Sequence, residues 1–326
     1  MTASASTLAV RRILNILGPF LGLLVVIGLF CISSKVRPYF LTGANFKIIF
    51  TQTVIVAIGT LGMTIIIVSG GIDLSAGSAV ALTSVVGAVA VVKGYPPTVA
   101  VALTILAGGL LGLVNGVAIG WLRMMPFIVT LGMMGVARGA AKWLSDSQTI
   151  SLPDTPVNNI MELKEPTQLF PLPLGVWITL GLAAIMAVVM RRTVFGRYIF
   201  AIGSNEAVTR LCGIRVGLQK VIIYSLAGLF FGIAGLMQLS RLTQGDPTVA
   251  IGLELDIIAA VVIGGASLSG GSGSILGSLI GALIMAVLRN GSNQMEMHTY
   301  TQEIIIGIVI IIAVGLDKLR QRRMKR

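Results

Sequence analysis

Charged residues are scarce in this chain. They account for 11% of its 326 residues, compared with about 25% in a typical soluble domain, while hydrophobic residues reach 55%. The charges are also clustered, which leaves long uncharged runs between them. Because about 20 apolar residues in a helix cross a bilayer with every backbone polar group satisfied internally, this composition excludes a soluble domain. It indicates an integral membrane protein in contact with the lipid bilayer.

Residues that bind metals or carry out catalysis are scarce as well. The chain has one histidine, His298, and two cysteines, Cys31 and Cys212. Metal sites within membranes need several clustered ligands, so we expect no metal site, no cofactor and no catalytic cluster. We expect the two cysteines on opposite sides of the bilayer midplane, with no disulfide. No phosphate-binding G-x-x-x-x-G-K-[ST] loop exists, so "LSGG" at 268–271 does not indicate an ATPase.

The apolar segments predict an all-α polytopic membrane protein that forms a single transmembrane domain over residues 1–326. About ten spans are expected, at 13–32, 48–68, 75–92, 97–120, 126–144, 173–190, 221–241, 249–265, 273–290 and 302–316. The first is interpreted as a retained span and not as a signal peptide, because no A-x-A-like cleavage site follows it. The eighth is the weakest prediction, because it contains Glu254 and Asp256.

The basic residues predict the orientation of the chain. The net charge of +12 does not indicate nucleic acid binding, because Lys and Arg of polytopic membrane proteins collect on cytoplasmic loops. Residues 191–220 contain six basic residues, and a second basic cluster follows residue 316. Even numbers of predicted spans separate these clusters from each other and from Arg11 and Arg12, so both termini are expected in the cytoplasm. Lys35, Arg37 and Lys47 would then lie outside, against the rule.

The longest predicted external segment covers residues 145–172. It is acidic and rich in proline. Two interpretations remain open for it: a surface for another protein, or an ordinary solvated connection.

A glycine-rich motif occurs twice. "GGIDLSAGS" at 70–78 and "GGASLSGGS" at 264–272 agree at six of nine positions and fall on the same predicted side of the membrane, which indicates a parallel internal repeat. Each copy is either a tight turn with close helix packing or a hinge beside a transport pathway. Ser75 and Ser269 are predicted to cap the following helices, and Asp73 is expected at an interfacial or protein-buried position. The residues singled out are Gly70, Gly71, Asp73, Ser75, Gly264, Gly265, Ser269 and Gly271.

Several stretches, in order, resemble the membrane permease subunits of bacterial ATP-binding cassette sugar importers of the ribose/xylose/galactose type. They are "SGGIDLSAGS" at 69–78, "MPFIVTLGMMGVARGA" at 125–140, "GRYIFAIGSNEAVTRLCGI" at 196–214 and "LDIIAAVVIGGASLSGGSGSILGSLIGALIMAVLRNG" at 255–291. The resemblance implies a multi-pass protein of the bacterial inner membrane. It also implies a second permease subunit in a homodimer, a cytoplasmic ATPase and a periplasmic sugar-binding protein. Residues 293–303 depart from the family pattern, so the substrate stays open.

Within 191–220, the stretch 196–214 looks like the coupling segment of this family, which contacts the ATPase. The residues concerned are Gly196, Gly203, Ser204, Asn205, Glu206, Ala207, Arg210 and Gly213. Independently of the resemblance, "SNEAVTRL" predicts a short amphipathic helix that Ser204 or Asn205 caps, with Val208 and Leu211 on one face. Gly203 is expected to allow a sharp entry into this helix. A solvated basic loop is the alternative.

Polar side chains within the predicted spans, together with Phe127, are the candidates for a pathway that carries a sugar or polyol: Gln52, Asn115, Phe127, Thr130, Gln238 and Asn290. The alternative is that these residues only bond across helices. An ion-coupled secondary transporter is the rival function, and it would use ionisable residues inside the bundle. Its candidates are Asp73, Arg138, Glu254, Asp256 and Arg289. A membrane enzyme is the weaker rival, because no catalytic cluster is found.

Overall fold

The computed structural model describes residues 5–163 and 172–324, and these are mostly helical. The helices are α1 (Ala5–Ile32), α2 (Arg37–Phe40), α3 (Gly43–Val68), α4 (Ala76–Val92), α5 (Pro97–Gly120), α6 (Pro126–Leu144), α7 (Leu174–Arg192), α8 (Val194–Ser204), α9 (Glu206–Leu211), α10 (Val216–Leu242), α11 (Leu253–Ile263), α12 (Ile275–Gln294) and α13 (Thr299–Met324). Part of the predicted external segment and the end of the basic tail lie outside the described residues, as do the side chains of Arg11 and Arg12.

Two short strands and one 3₁₀ turn complete the described structure. Strand β1 (Ile150–Ser151) pairs antiparallel with β2 (Gln244–Gly245), and the 3₁₀ turn covers Asn158–Ile160. Within the described ranges, five helices are long and apolar enough to cross a bilayer, and several shorter apolar helices accompany them. The prediction of an all-α polytopic membrane protein is therefore confirmed.

Helix α3 lies at the centre of the molecule. Apolar residues cover all its sides, and nearly every residue from Thr51 to Val68 is buried. A helix that is hydrophobic all round is expected to be surrounded by protein or lipid, and here other helices surround it. It packs against α10, α12, α11 and α7. Its carboxyl end leads directly into the first glycine-rich motif.

Helices α5 and α10 approach closely through small residues. Gly108, Gly112 and Gly116 recur every four residues on α5 and face Gly228 and its neighbours on α10. A Cβ atom added at Gly112 would lie 2.9 Å from the Gly228 Cα. Helices in membranes associate by van der Waals packing, which this close approach of backbones maximises.

The predicted span at 249–265 is not one continuous membrane helix. The structure has only α11 there, and its 11 residues extend about 16 Å, whereas the bilayer core is about 30 Å thick. Residues 243–252 before it are mostly irregular, with left-handed backbone at Thr243, Ala250 and Gly252. Two acidic residues near its start and two glycines near its end limit the apolar run. The hydropathy pattern could not distinguish this half-helix from a full span.

Residues 191–220 are more structured than a loop. Helix α8 is an additional apolar helix that starts directly after α7, and Thr193 caps it by accepting a hydrogen bond from the Gly196 amide (3.2 Å). Helix α9 follows after Asn205. The predicted short helix in "SNEAVTRL" is thus present.

Candidate coupling interface and translocation pathway

The two glycine-rich motifs meet at the end of α8. The Gly271 amide donates a hydrogen bond to the Val68 carbonyl (2.8 Å), which joins the second motif to the end of α3. A Cβ atom at Gly270 would lie 3.0 Å from the Cα atoms of both Gly203 and Gly70. A Cβ at Gly203 would overlap the Val68 carbonyl oxygen and lie 2.6 Å from the Gly271 nitrogen. We call this meeting point of Gly70, Gly203, Gly270 and Gly271 the glycine junction.

The glycine residues of the two turns are needed for different reasons. Gly70 and Gly265 have φ angles of +86° and +91°, in the left-handed region that side chains disfavour. A Cβ atom at Gly71 would collide with the Tyr224 hydroxyl, and one at Gly264 would collide with the backbone of Gly277. Both turns therefore combine unusual backbone angles with close packing.

Asp73 is buried inside the protein, which is one of the two positions expected for it, the other being at the membrane interface. Its Oδ1 accepts hydrogen bonds from the Ser75 amide (2.8 Å) and the Ser75 hydroxyl (2.5 Å). The Asn115 side chain donates to the Ser75 hydroxyl (3.1 Å) and to Asp73 Oδ2 (3.4 Å). Asn115, a predicted pathway residue, thus belongs to a buried polar cluster that fixes the first turn.

The predicted serine caps are wrong. Ser75 lies at the start of α4, but its side chain makes no capping bond because it is used by Asp73. In the second motif the next helix, α12, begins at Ile275, and Ser274 caps it by accepting from the Gly277 amide (3.0 Å). The extra glycines before Ser274 delay the helix start beyond Ser269.

Helix α9 presents an apolar surface next to the glycine junction. Asn205 caps it by accepting from the Val208 amide (3.0 Å). Val208 and Leu211 lie three residues apart and are 53% and 87% exposed. These two side chains form a small exposed apolar surface on a short, polar connection.

Glu206 is held by two internal ion pairs. It accepts from Arg210 on its own helix (2.9 Å) and from Lys220 of α10 (2.7 Å). Partial burial would raise the pKa of Glu206, but the hydrogen bonds and charges of Lys220 and Arg210 outweigh it and hold the pKa below its ordinary value. Glu206 therefore anchors α9 to α10, a role that its position in the first turn did not reveal.

The expected role of Gly203 as a sharp entry into α9 is wrong. Gly203 lies in the last turn of α8, and what requires glycine there is the approach of the Val68 carbonyl. A cavity of about 230 Å³ lies beside the glycine junction. Gly71, Glu206, Lys220 and Tyr224 are among the residues that line it. The predicted coupling segment and the first glycine turn thus border one space.

A second cavity lies toward the opposite end of α3, because about 24 Å of helix separate Gln52 from Val68. It has a volume of about 310 Å³ and lies between α3, α10, α11 and α12. Its polar lining residues are Gln52, Gln238, Arg241, Asp256, Arg289 and Asn293, and we call it the polar cavity. The structure thus brings together two of the six predicted pathway residues, Gln52 and Gln238.

The other pathway candidates lie elsewhere. The Thr130 hydroxyl donates to the Pro126 carbonyl within its own helix (3.0 Å), and Phe127 is 54% exposed. Asn290 accepts from Gln294 (3.2 Å), which also donates to Asn45 (2.7 Å). None of these three side chains lines the polar cavity.

Sequence reasoning assigned four ionisable residues only to the ion-coupled alternative. The structure gives each of them a specific contact within the protein. Arg289 donates to Asp256 through Nε (2.8 Å) and Nη2 (2.5 Å). Arg138 donates to the carbonyls of Pro247 and Val249, both at 2.7 Å, and so supports the irregular segment before α11. Glu254 lies against Gly77 of α4.

Sequence reasoning did not select Arg241, and it noted Asn293 only as the first residue of the stretch 293–303 that departs from the family pattern. Both residues are polar and lie near the carboxyl ends of apolar helices, α10 and α12. The sequence does not show that these two helix ends meet at one cavity.

Comparison with known protein families gives a match over most of the chain. Residues 45–314 match the family described as "Branched-chain amino acid transport system / permease component". The chain is 40% identical over 300 residues to the ribose import permease protein of Escherichia coli K12, covering 92% of this chain and 93% of that protein.

Other relatives are similar to the chain over comparable lengths. The identity is 42% over 303 residues to the ribose import permease protein of Bacillus subtilis 168, covering 93% of this chain and 92% of that protein. It is 33% over 303 residues to the D-allose transport system permease protein of E. coli K12, covering 93% and 91%. No solved structure matches the chain significantly.

Proposed function

The chain belongs to the family of permease components of branched-chain amino acid transport systems. Within this family, we propose that the cargo of this permease is a monosaccharide or a related polyol. The observation that carries this proposal is the 40% identity, over nine tenths of both chains, to a permease named for ribose import. A second relative at 33% identity is named for D-allose transport. The chain is thus a permease subunit of an ATP-driven importer, and the cargo is inferred.

The polar cavity offers hydrogen-bonding groups that suit a sugar. Three of its lining side chains, Gln52, Gln238 and Asn293, are amides, which both donate and accept hydrogen bonds. The hydroxyl groups of a polyol do the same.

Helix α9 and the residues before it form the proposed contact with a separate cytoplasmic ATPase. The contact needs an exposed surface that is mechanically connected to the membrane helices. Val208 and Leu211 provide the exposed apolar surface. The ion pair between Glu206 and Lys220 connects α9 to α10, and Gly203 connects α8 to the end of α3. Movement of the ATPase would thereby reach both glycine-rich turns.

The proposed assembly lies in the bacterial inner membrane with both termini in the cytoplasm. The basic residues of 191–220 and of the tail support this orientation. A periplasmic sugar-binding protein would deliver the cargo on the opposite side, where the polar cavity lies. A second copy of the chain would complete the pathway, as the resemblance to sugar permeases implies.

The ion-coupled alternative is weakened by the bonds that its candidate residues make. Asp73 is fixed by Ser75, Asp256 by Arg289, and Arg138 by two backbone carbonyls. Ion coupling requires groups that can exchange a proton or a cation along the pathway. These residues are instead used within the fold.

Reconstitution tests the proposed function. The purified chain is combined in proteoliposomes with the ATPase and the binding protein encoded beside it, and uptake of labelled D-ribose, D-allose and L-leucine is measured with and without ATP. We expect ATP-dependent uptake of a sugar and no uptake of L-leucine. Uptake driven by a proton or sodium gradient without ATP, or uptake of L-leucine alone, would contradict the proposal.

A further inference from the structure

The ion pair between Asp256 and Arg289 lies in the wall of the polar cavity and joins α11 to α12. We propose that this pair is the specificity-determining subsite of the permease and that it binds neighbouring hydroxyl groups of an uncharged sugar. The inference rests on the proposed function and extends it to two residues and one chemical class of ligand.

The geometry of the ion pair leaves hydrogen-bonding capacity for a ligand. Both Arg289 atoms that donate, Nε and Nη2, reach the same carboxylate oxygen, Asp256 Oδ2. In the described part of the chain, Oδ1 accepts no hydrogen bond. A clamp that served packing alone would use both oxygens, as bidentate arginine–carboxylate pairs commonly do. Asp256 Oδ1 therefore keeps its acceptor capacity, and Arg289 keeps donor hydrogens on the edge of the guanidinium that does not face Asp256.

Exposure within the cavity agrees with this arrangement. The Asp256 side chain is 4% exposed, while 39% of the Arg289 side chain is accessible. The carboxylate is thus fixed in the protein interior, and the guanidinium borders the open space. A fixed acceptor beside a partly free donor matches two hydroxyl groups on adjacent carbons, because one hydroxyl donates and the other accepts.

The remaining lining residues suit a small, uncharged ligand. The cavity of about 310 Å³ is at the lower end of the range of small-molecule sites, about 300–1,000 Å³. Gln52 and Gln238 add amide groups from α3 and α10, and Arg241 adds a further donor.

The position of the pair explains why it can discriminate. Asp256 lies on the half-helix α11, whose preceding segment is irregular and is supported by Arg138. Irregular backbone at membrane depth is tolerated where it lines a cavity. A ligand bound to Asp256 and Arg289 would therefore contact α11, next to this segment, and α12 together.

The test uses the complete transporter, with its ATPase and binding protein, in proteoliposomes. Uptake of D-ribose and of 2-deoxy-D-ribose is measured for the wild type and for the Asp256→Asn and Arg289→Lys variants, and D-allose and its 2-deoxy analogue are used if the wild type carries D-allose instead. Because the same binding protein delivers both sugars, its own preference cancels in the ratio of variant to wild type. Glu254→Gln is the matched control, since it makes the same chemical change two residues away and does not line the cavity.

We expect Asp256→Asn to raise the KM for the full sugar about tenfold to a hundredfold and to reduce the discrimination against the deoxy analogue. Arg289→Lys should act in the same direction, and Glu254→Gln should leave the KM and the discrimination unchanged. ATPase activity stimulated by the loaded binding protein should persist in all variants. A purely structural ion pair would instead lower the folded yield or the maximal rate with an unchanged KM and unchanged discrimination.

The outcomes separate this inference from the proposed function. If the wild type carries a sugar and both variants keep its KM and its discrimination, the subsite is overturned and the function stands. If Asp256→Asn does not fold, Arg289→Lys decides by the same ratio, because it keeps the positive charge and one bond to Asp256. If the wild type carries no sugar, both the function and the subsite are overturned. Faster uptake of a uronic acid than of its neutral parent sugar would also overturn the uncharged class of ligand.

Discussion

At the scale of single residues, glycine and one aspartate determine the end of the membrane domain where the glycine-rich turns lie. Gly203 allows α8 to touch the end of α3, and Gly70 provides left-handed backbone in the first turn. The Asp73 carboxylate stabilises that turn by accepting hydrogen bonds from the Ser75 amide and the Ser75 hydroxyl. Each residue contributes backbone geometry that a larger or apolar side chain would prevent.

Gly203→Ala should destabilise the protein although alanine is the better helix former. The added methyl group would overlap the Val68 carbonyl oxygen, and overpacking of this kind typically costs about 1–3 kcal/mol. Gly181→Ala is the matched control, because Gly181 is helical and a Cβ there meets nothing within 4 Å. The control should be neutral or stabilising by up to about 1 kcal/mol.

Thermal unfolding in detergent and the folded yield from membranes measure both glycine variants. Equal stability of Gly203→Ala and Gly181→Ala would show that α8 can move away from α3 without loss. The close approach would then not be required for folding.

At the scale of secondary-structure elements, two short helices differ from the long spans around them. Helix α11 covers only about half the bilayer, and the irregular segment before it needs Arg138 to satisfy its carbonyl groups. Helix α9 has six residues and depends on its Asn205 cap and on Glu206 for its position. Elements this short are unstable alone, so tertiary contacts hold them.

Leu211→Asp should separate partner binding from stability. Leu211 is 87% exposed, and a substitution at such a surface position usually changes stability by no more than about 0.5 kcal/mol. If α9 docks on the ATPase, a buried charge at that contact should abolish co-purification of the ATPase and reduce uptake at least tenfold. Subunit level in membranes, co-purification and uptake are measured together.

Leu163→Asp is the control for this variant, since Leu163 is a half-exposed leucine in the predicted external segment. It should retain the ATPase. Full co-purification and uptake in Leu211→Asp would remove α9 as the contact surface. Glu206 is less suitable for this test, because reversing its charge would also break the ion pairs with Arg210 and Lys220.

At the scale of the whole molecule, the glycine junction and the polar cavity lie toward opposite ends of α3. Helices α3, α10 and α12 connect the two regions, since they line the cavity or contact the residues of the junction. This arrangement is what an importer requires, because energy enters at one membrane face and cargo at the other. The proposed orientation assigns the junction to the cytoplasm.

Labelling of a native cysteine tests the orientation. Cys212 is exposed between α9 and α10, and we expect a membrane-impermeant maleimide to label it in a Cys31→Ser background only after the membrane is opened. The physical reason is that the basic residues around it are retained on the cytoplasmic side. Gln148→Cys, with both native cysteines replaced by serine, is the external control and should be labelled in intact spheroplasts. Labelling of Cys212 in intact spheroplasts would contradict the orientation.

The sequence by itself determined the class of fold, most spans and the existence of the glycine repeat. These features depend on composition and on local periodicity, which neighbouring residues carry. The short helix at "SNEAVTRL" and its Asn205 cap were predictable for the same reason, because a cap acts within four residues. The family was recognisable because several motifs occur in order.

The tertiary structure alone decided which distant residues meet. Asp256 and Arg289 are 33 positions apart, and Gly70 and Gly203 are 133 positions apart. The sequence between them carries no local signal for contact, since contact depends on how the helices pack. The same reason explains the corrected predictions: the half-helix α11, the cap at Ser274 and the role of Gly203 each depend on which backbone lies opposite. Two polar side chains in similar apolar surroundings can therefore have different roles. Gln238 lines the polar cavity, whereas Asn290 forms a hydrogen bond within its own helix.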